Sequence, residues 1–266
     1  MANETIQRWS TFLEKIEARF HDLMKEAEAG CAQLFDARDH DPTAMGNAWS
    51  AIEVRAKDLR SKISDTWHAQ VDDALDDAPP AIRVRERERG EGLEHRIDVG
   101  LEATRLRIFA DAARKLWTRA LAERPTSLQC TQCGAALPMP ETIRAVNVPC
   151  GYCYALVGWE PGTRLRMIEH FSVPILCDEA AWNQWLARRE AEQNRRGPHG
   201  DDFAQLRAHV HAEIAYHRAW LEARARMLPE HAAQLDADLR GKMAHFYQML
   251  DRERAWIEAG RPRAVA

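Results

Sequence analysis

Apolar residues recur along this chain at helical spacing over most of its length. Ile6, Trp9, Leu13, Ile16, Phe20, Leu23, Ala27 and Leu34 follow steps of three and four, with one longer step at the end. They fall on one face of a long helix whose other faces carry Glu14, Lys15, Glu17 and Arg19. The helix is predicted to stop near Asp39-His40-Asp41-Pro42, because proline disfavours helix in the residue before it. Trp49, Ile52, Ala56, Leu59, Ile63, Trp67, Val71 and Leu75 then line a second helix that ends before Pro79-Pro80. Two long amphipathic helices on a short link fold back as an antiparallel hairpin.

Beyond the prolines the period changes. Ile82 and Val84 alternate with Arg83 and Arg85, Gly90-Glu91-Gly92 punctuates, and Leu93, His95, Ile97 and Val99 alternate again. The pattern reads as a β-hairpin over 81–99 with a glycine turn, and its rival is a helix interrupted by glycines. A third helix over roughly 100–123 carries Leu101, Ile108, Phe109, Ala112, Leu116 and Ala120 on one side. Helical spacing is lost from 126 to 177, then returns in a helix around 178–194 and in two amphipathic helices. Phe203, Leu206, Val210, Ile214, His217 and Leu221 line the first of these; Leu235, Leu239, Met243, Phe246, Leu250 and Ile257 line the second. Arg195 to Gly200 reads as a loop.

The expected fold class is mainly α, with long amphipathic hairpins of bundle or coiled-coil-like character and a small inserted β module. The domain reading is an N-terminal helical region 1–124, a cysteine module 125–177, a C-terminal helical region 178–260 and a tail 261–266. The outer helix pairs have complementary stripes that could close into one bundle.

Composition narrows the function classes. With 266 residues, 45% of them hydrophobic and 29% charged, the chain has the profile of a folded globular protein. A net charge of −4 exerts no global pull toward nucleic acid or anionic lipid. Its apolar runs are shorter than the ~20 residues of a membrane helix, and charges interleaved through the first twenty residues do not fit a signal peptide. A cytoplasmic protein is expected. Arg outnumbers Lys 31 to 6, as in a GC-rich bacterial genome.

Six cysteines in such a chain are read first as metal ligands or buried thiols. Cys130-Thr-Gln-Cys133-Gly134 and Cys150-Gly-Tyr-Cys153 form two C-x2-C knuckles separated by sixteen residues. Each knuckle aims two thiolates at a common point, and thiolates are soft ligands that suit zinc and also iron or copper(I). Over residues 126–172 the pattern resembles a zinc ribbon, the module of two cysteine knuckles on a short antiparallel sheet. The resemblance implies one structural Zn2+ held by Cys130, Cys133, Cys150 and Cys153, with no position left for a catalytic water. Val146, Val148, Tyr154, Leu156, Val157 and Trp159 supply the apolar strands, and Arg164 to Ile168 a plausible further one. Tyr154 departs from the pattern, since it follows Cys153 where ribbons place glycine. Cys31 and Cys177 read as buried small hydrophobes.

Other residues offer weaker candidates. His209, Glu213 and His217 share one helix face and suggest a metal-dependent enzyme, although His217 also falls on the apolar stripe. Arg83, Arg85, Arg87, Arg105 and Arg107 could meet phosphates and make a nucleic-acid-binding surface, or form a solvated face paired with glutamates. The zero net charge of 126–177 counts against a nucleic-acid ribbon. Trp182, Trp185 and Trp220 could anchor a protein partner. The chain carries none of the common nucleotide-binding, hydrolase or metalloprotease motifs. The expectation is a non-catalytic interaction or assembly protein, a scaffold or adaptor built on protein contacts or self-association.

Overall fold

The computed structural model describes residues 2–196 and 203–259. Most of the expected 195–200 loop and the expected tail 261–266 lie outside the described residues; Arg195 and Arg196 close a helix. The chain divides into two compact units, Met1–Thr118 and Arg119–Ala266, and the fold is mainly α with two small antiparallel hairpins.

The first unit is built from helices α1 (Ala2–Ala37) and α2 (Pro42–Thr66) and most of α3 (Pro80–Ala122). α1 buries Trp9, Leu13, Ile16, Phe20, Leu23, Met24, Ala27, Cys31 and Phe35. At the start of α2 the Asp41 carboxylate caps the helix by accepting from the Thr43 amide at 2.8 Å, with Pro42 at the first helical position, where its missing N–H leaves no bond unmade. A π-helical turn at Trp67–Val71 and a 3-10 turn at Asp73–Leu75 continue the chain toward the prolines. Trp9 lies against Trp67, with ring centroids 5.7 Å apart, so α1 and α2 run antiparallel as their spacing predicts.

The β-hairpin expected over 81–99 is not formed; α3 runs through it without interruption. Its buried positions explain the outcome. Glu86, Gly90, Leu93, Ile97, Leu101, Thr104, Ile108 and Ala112 are all buried, and their steps of three and four define one helical face. Two of the first three places on that face hold Glu and Gly, so the apolar signal there fades to an accidental alternation. The glycines serve packing. A Cβ on Gly90 would stand 2.8 Å from Trp9 Cζ2, and one on Gly100 would stand 3.0 Å from Phe20 Cε1. Glu86 is buried with both carboxylate oxygens engaged, one by Arg85 and the other by Arg89 at 2.6 Å. Its backbone carbonyl accepts from Trp9 Nε1 at 3.1 Å.

α3 packs beside α1 in a constant register. Arg89 meets Ser10, Arg96 meets Glu17, Arg107 meets Glu28 and Lys115 meets Asp36, each pair 79 residues apart in sequence. A fixed offset means the two helices are parallel. The contacts on α1 recur after seven, eleven and eight residues, close to whole numbers of turns at about 3.6 residues each. α2 lies antiparallel to both, with Arg60 bonded to Asp98 at 3.1 Å and Trp49 edge-on to Phe109.

In the second unit, strands β1 (Leu128–Gln129), β2 (Ala136–Leu137), β3 (Val146–Pro149) and β4 (Leu156–Trp159) precede helices α4 (Thr163–Met167), α5 (Val173–Ala180), α6 (Trp182–Arg196), α7 (Phe203–Met227) and α8 (Leu235–Glu258). The further strand expected at 164–168 is instead α4 and the start of a π-helical turn. Leu165 and Ile168 are buried three residues apart, a helical spacing and not an alternating one. The single helix expected around 178–194 is split into α5 and α6 at Ala181. α7 packs against α5, α6 and α8, and Leu221, Leu239 and Met243 form a core with Ile214, Trp220, Leu235 and Phe246 around it.

Candidate metal centre

Each cysteine knuckle rides on its own two-stranded hairpin. β1 pairs with β2 in the register Leu128↔Leu137 and Gln129↔Ala136, enclosing the first knuckle. β3 pairs with β4, Val148 facing Val157 and Pro149 facing Leu156, enclosing the second. The hydrogen bonds repeat as well. The Cys130 amide donates to the Ala135 carbonyl at 2.8 Å and the Gly134 amide to Cys130 at 2.9 Å; the Cys150 amide donates to Ala155 at 2.8 Å and the Tyr154 amide to Cys150 at 3.0 Å. Every atom pair in the second knuckle lies twenty residues after its counterpart in the first. The signal was present in the sequence as Cys, Cys and Ala recurring at that interval, within a stretch too short to register as a repeat.

The turns differ in one position. Gly134 has φ +72° and Tyr154 φ +61°. Both occupy the left-handed region, which glycine enters freely and a side chain with a Cβ enters at a cost of about 1–2 kcal/mol. The departure at Tyr154 is therefore accommodated by strain, with the same backbone path.

The four sulfur atoms converge. Cys130 Sγ lies 3.6 Å from Cys153 Sγ and Cys133 Sγ 3.7 Å from Cys150 Sγ, and all four lie within 4.8 Å of one another. A tetrahedral ion bound to sulfur at about 2.3 Å needs edges of about 3.8 Å, so two contacts across the knuckles already match. The four cysteines could hold a metal ion, and among the described residues theirs is the one such His, Cys, Asp or Glu cluster. The surroundings favour the thiolate at the first cysteine of each knuckle and oppose it at the second. Backbone hydrogen bonds from Cys133 and then Gln132 pull the Cys130 thiol down to about 6, and those from Cys153 and Tyr152 lower Cys150 in the same way. Cys153 receives a lowering hydrogen bond from Ala155, but burial and the three neighbouring sulfurs outweigh it and push its thiol up to about 12. Cys133 is raised as well, its hydrogen bonds from Ala135 and Cys153 being outweighed by burial and by Cys130 and Cys150, and a bound cation would offset both shifts.

Cys130 and Cys150 are buried, as are Leu137, Ile143, Val148, Val157 and Trp159 of the module. Its loops are tied to the rest of the second unit by charge. Arg164 donates to both Glu123 oxygens at 2.7 and 2.6 Å. Arg144 pairs with Glu169 and reaches His231 Nε2 at 3.0 Å. Cys31 and Cys177 are buried free thiols, in agreement with their expected role.

None of the other sequence candidates belongs to the cysteine cluster. His217 Nε2 and Glu213 are 3.6 Å apart and His209 Nε2 and Glu213 4.0 Å, with Arg188 3.7 Å from the same carboxylate. Burial raises the Glu213 carboxyl above its usual range and lowers His217, as expected of a packed polar cluster. Each of the five arginines faces a carboxylate: Arg83 with Asp72 and Asp76, Arg85 with Glu86, Arg87 with Glu91, Arg105 with Glu102 and Arg107 with Glu28. Trp182 and Trp185 are half-buried and stacked on each other at 4.6 Å. Trp220, also half-buried, donates to Asp178 at 3.0 Å. Among the described residues, the large hydrophobic side chains that stand most exposed are others, Tyr152, Tyr154 and Leu156 on the second knuckle and its strand.

The class these features define is a mainly α protein carrying a four-cysteine cluster able to hold a metal ion on paired β-hairpins. Family models, characterised sequences and solved structures yield no match to this chain. No helix among the described residues is long and apolar enough to cross a membrane.

Proposed function

We propose that this chain is a non-catalytic interaction or assembly protein whose ribbon module is folded by one structural zinc ion. The observation that carries the reading is the pair of equivalent knuckles that brings Cys130, Cys133, Cys150 and Cys153 together. Four thiolates from one chain complete a tetrahedral shell and leave no open position for a reacting water, which favours structure over catalysis. Zinc suits an all-thiolate set and is redox-inert. Strands of two and four residues cannot build a core alone, and the metal supplies the missing cohesion. The long helices of the first unit then serve as the scaffold. Two buried free thiols fit a reducing compartment, which supports a cytoplasmic location.

The test is metal analysis of the purified full chain together with far-UV circular dichroism. One zinc per chain is expected, lost in the Cys150→Ser variant while the helical signal is largely retained. A chain purified with Cys130, Cys133, Cys150 and Cys153 as disulfides, or one that takes up no zinc on titration, would overturn the reading.

A further inference from the structure

The two knuckles share a backbone but present different surfaces. Around the first metal-facing turn stand Thr131, Gln132, Gly134 and Ala136; the equivalent places in the second hold Gly151, Tyr152, Tyr154 and Leu156. Tyr152, Tyr154 and Leu156 are 80%, 84% and 69% exposed, and Val146 is 39% exposed on the neighbouring strand. Tyr154 stands in a left-handed conformation that the sister knuckle assigns to glycine. With 84% of it in solvent, burial does not repay the strain. Exposed aromatics in a strained turn are a combination that folding alone does not select.

The chemistry of the surface selects its occupant. Residues 125–140 and 145–159 contain no lysine, arginine, aspartate or glutamate, so the two hairpins carry no basic side chain of their own to meet a phosphate. On the zinc reading above, four thiolates and one divalent ion leave the tip with two surplus negative charges, which repel a nucleic-acid backbone and attract a cationic rim. Size restricts it further. Two tyrosines and a leucine expose about 500 Å², well below the ~800 Å² per partner of a stable interface between folded proteins. A second copy would also bring like charge against like. A short linear segment matches both the area and the sign.

We propose that Tyr152, Tyr154 and Leu156 form the docking surface of this protein, and that they receive a short segment of a partner protein whose apolar residues are flanked by lysine or arginine. The inference rests on the zinc-ribbon reading for its charge and on the described geometry for its apolar face. The tyrosine rings lie over the partner's apolar side chains, and the basic flanks approach the thiolate-bound ion from outside its closed shell.

The experiment is selection of random twelve-residue peptides displayed on phage against the immobilised full chain, followed by fluorescence anisotropy with synthetic copies. Enriched peptides should combine an apolar centre with Lys or Arg, and bind the Tyr152→Ser/Leu156→Ser variant at least tenfold more weakly, about 1.4 kcal/mol. That variant should keep its zinc content and circular dichroism. No enrichment, or equal binding to the variant, would overturn the proposal. So would tyrosine-dependent binding of a single-stranded DNA 20-mer in place of peptides, which would make the surface a base-stacking platform. If peptides bind through the tyrosines but the chain takes up no zinc, the metal reading fails and the docking surface stands. If the chain takes up zinc but binds no peptide, the docking surface fails and the metal reading stands.

Discussion

Replacing Gly90 and Gly92 by alanine, one at a time, separates two accounts of the region 81–99 that the sequence leaves open. In a helix each glycine is about 1 kcal/mol less favourable than alanine. At Gly92 the added Cβ meets only Arg96 Nη1, at 3.7 Å, so Gly92→Ala should stabilise the first unit by about 0.5–1 kcal/mol. At Gly90 the same atom lands 2.8 Å from Trp9 Cζ2 and 3.3 Å from Ile63 Cγ2. Trp9 has nowhere to go, because it is stacked on Phe12, packed on Trp67 and hydrogen-bonded to the Glu86 carbonyl. Overpacking of that kind costs about 1–3 kcal/mol, which cancels or exceeds the propensity gain. The two variants should therefore differ by about 1–3 kcal/mol, with Gly92→Ala the more stable. Guanidinium denaturation followed by circular dichroism reads the difference as a shift in midpoint at constant slope. In a β-hairpin turning at Gly90-Glu91-Gly92, alanine at 92 would itself be damaging, and 90 and 92 would respond alike. A less stable Gly92→Ala variant refutes the continuous helix and the seat for Trp9 within it.

Three further outcomes follow from the structure. Tyr154→Gly, which relieves the left-handed strain at φ +61°, should, on the zinc reading, stabilise the metal-loaded module by about 1 kcal/mol; an unchanged resistance to thermal release of added zinc would show that the turn is unstrained. Glu213→Gln should stabilise the protein near neutral pH, with the advantage shrinking toward pH 4. Burial raises the folded-state pKa of Glu213, so its favourable contribution is full below the unfolded value and is lost as pH rises through the folded one; a pH-independent difference in thermal midpoint would contradict this. The Glu17–Arg96 pair at 3.0 Å is largely exposed, and a double-mutant cycle on it should return a coupling of about 0.5 kcal/mol. A value above about 2 kcal/mol would mean the contact is far drier than its geometry.

The helices and the cysteine cluster were legible because their signals are carried by many residues or by a rigid spacing. Stripes such as Trp9-Leu13-Ile16-Phe20 survive one weak position, and C-x2-C leaves little freedom in where two sulfurs point. The start of α3 was not legible, since Glu86 and Gly90 occupy core positions for reasons that an apolar period does not carry: the flanking Arg85 and Arg89 for one, the distant Trp9 ring for the other. Val84, which suggested alternation, is 46% exposed. Arg164 to Ile168 misled in the same way, five residues being too few to distinguish periods. Of the tryptophans singled out as anchors, Trp182 and Trp185 stack on each other and Trp220 is held by the distant Asp178, whereas Tyr152 and Leu156 stand exposed on the second knuckle and its strand. Pairings of arginine with carboxylates 79 residues away are likewise tertiary facts.

That constant interval carries a consequence for how the chain can change its length. Deleting one residue inside α1 between Ser10 and Glu17 would rotate everything beyond it by about 100° and turn Glu17, Glu28 and Asp36 away from Arg96, Arg107 and Lys115. Residues gained or lost at 38–41 or 76–79 would change the interval for all four contacts equally and leave every partner facing its own. The first unit thus has a length that is free in its connections and fixed in its rods, and natural length variation in homologous chains should collect at those two turns.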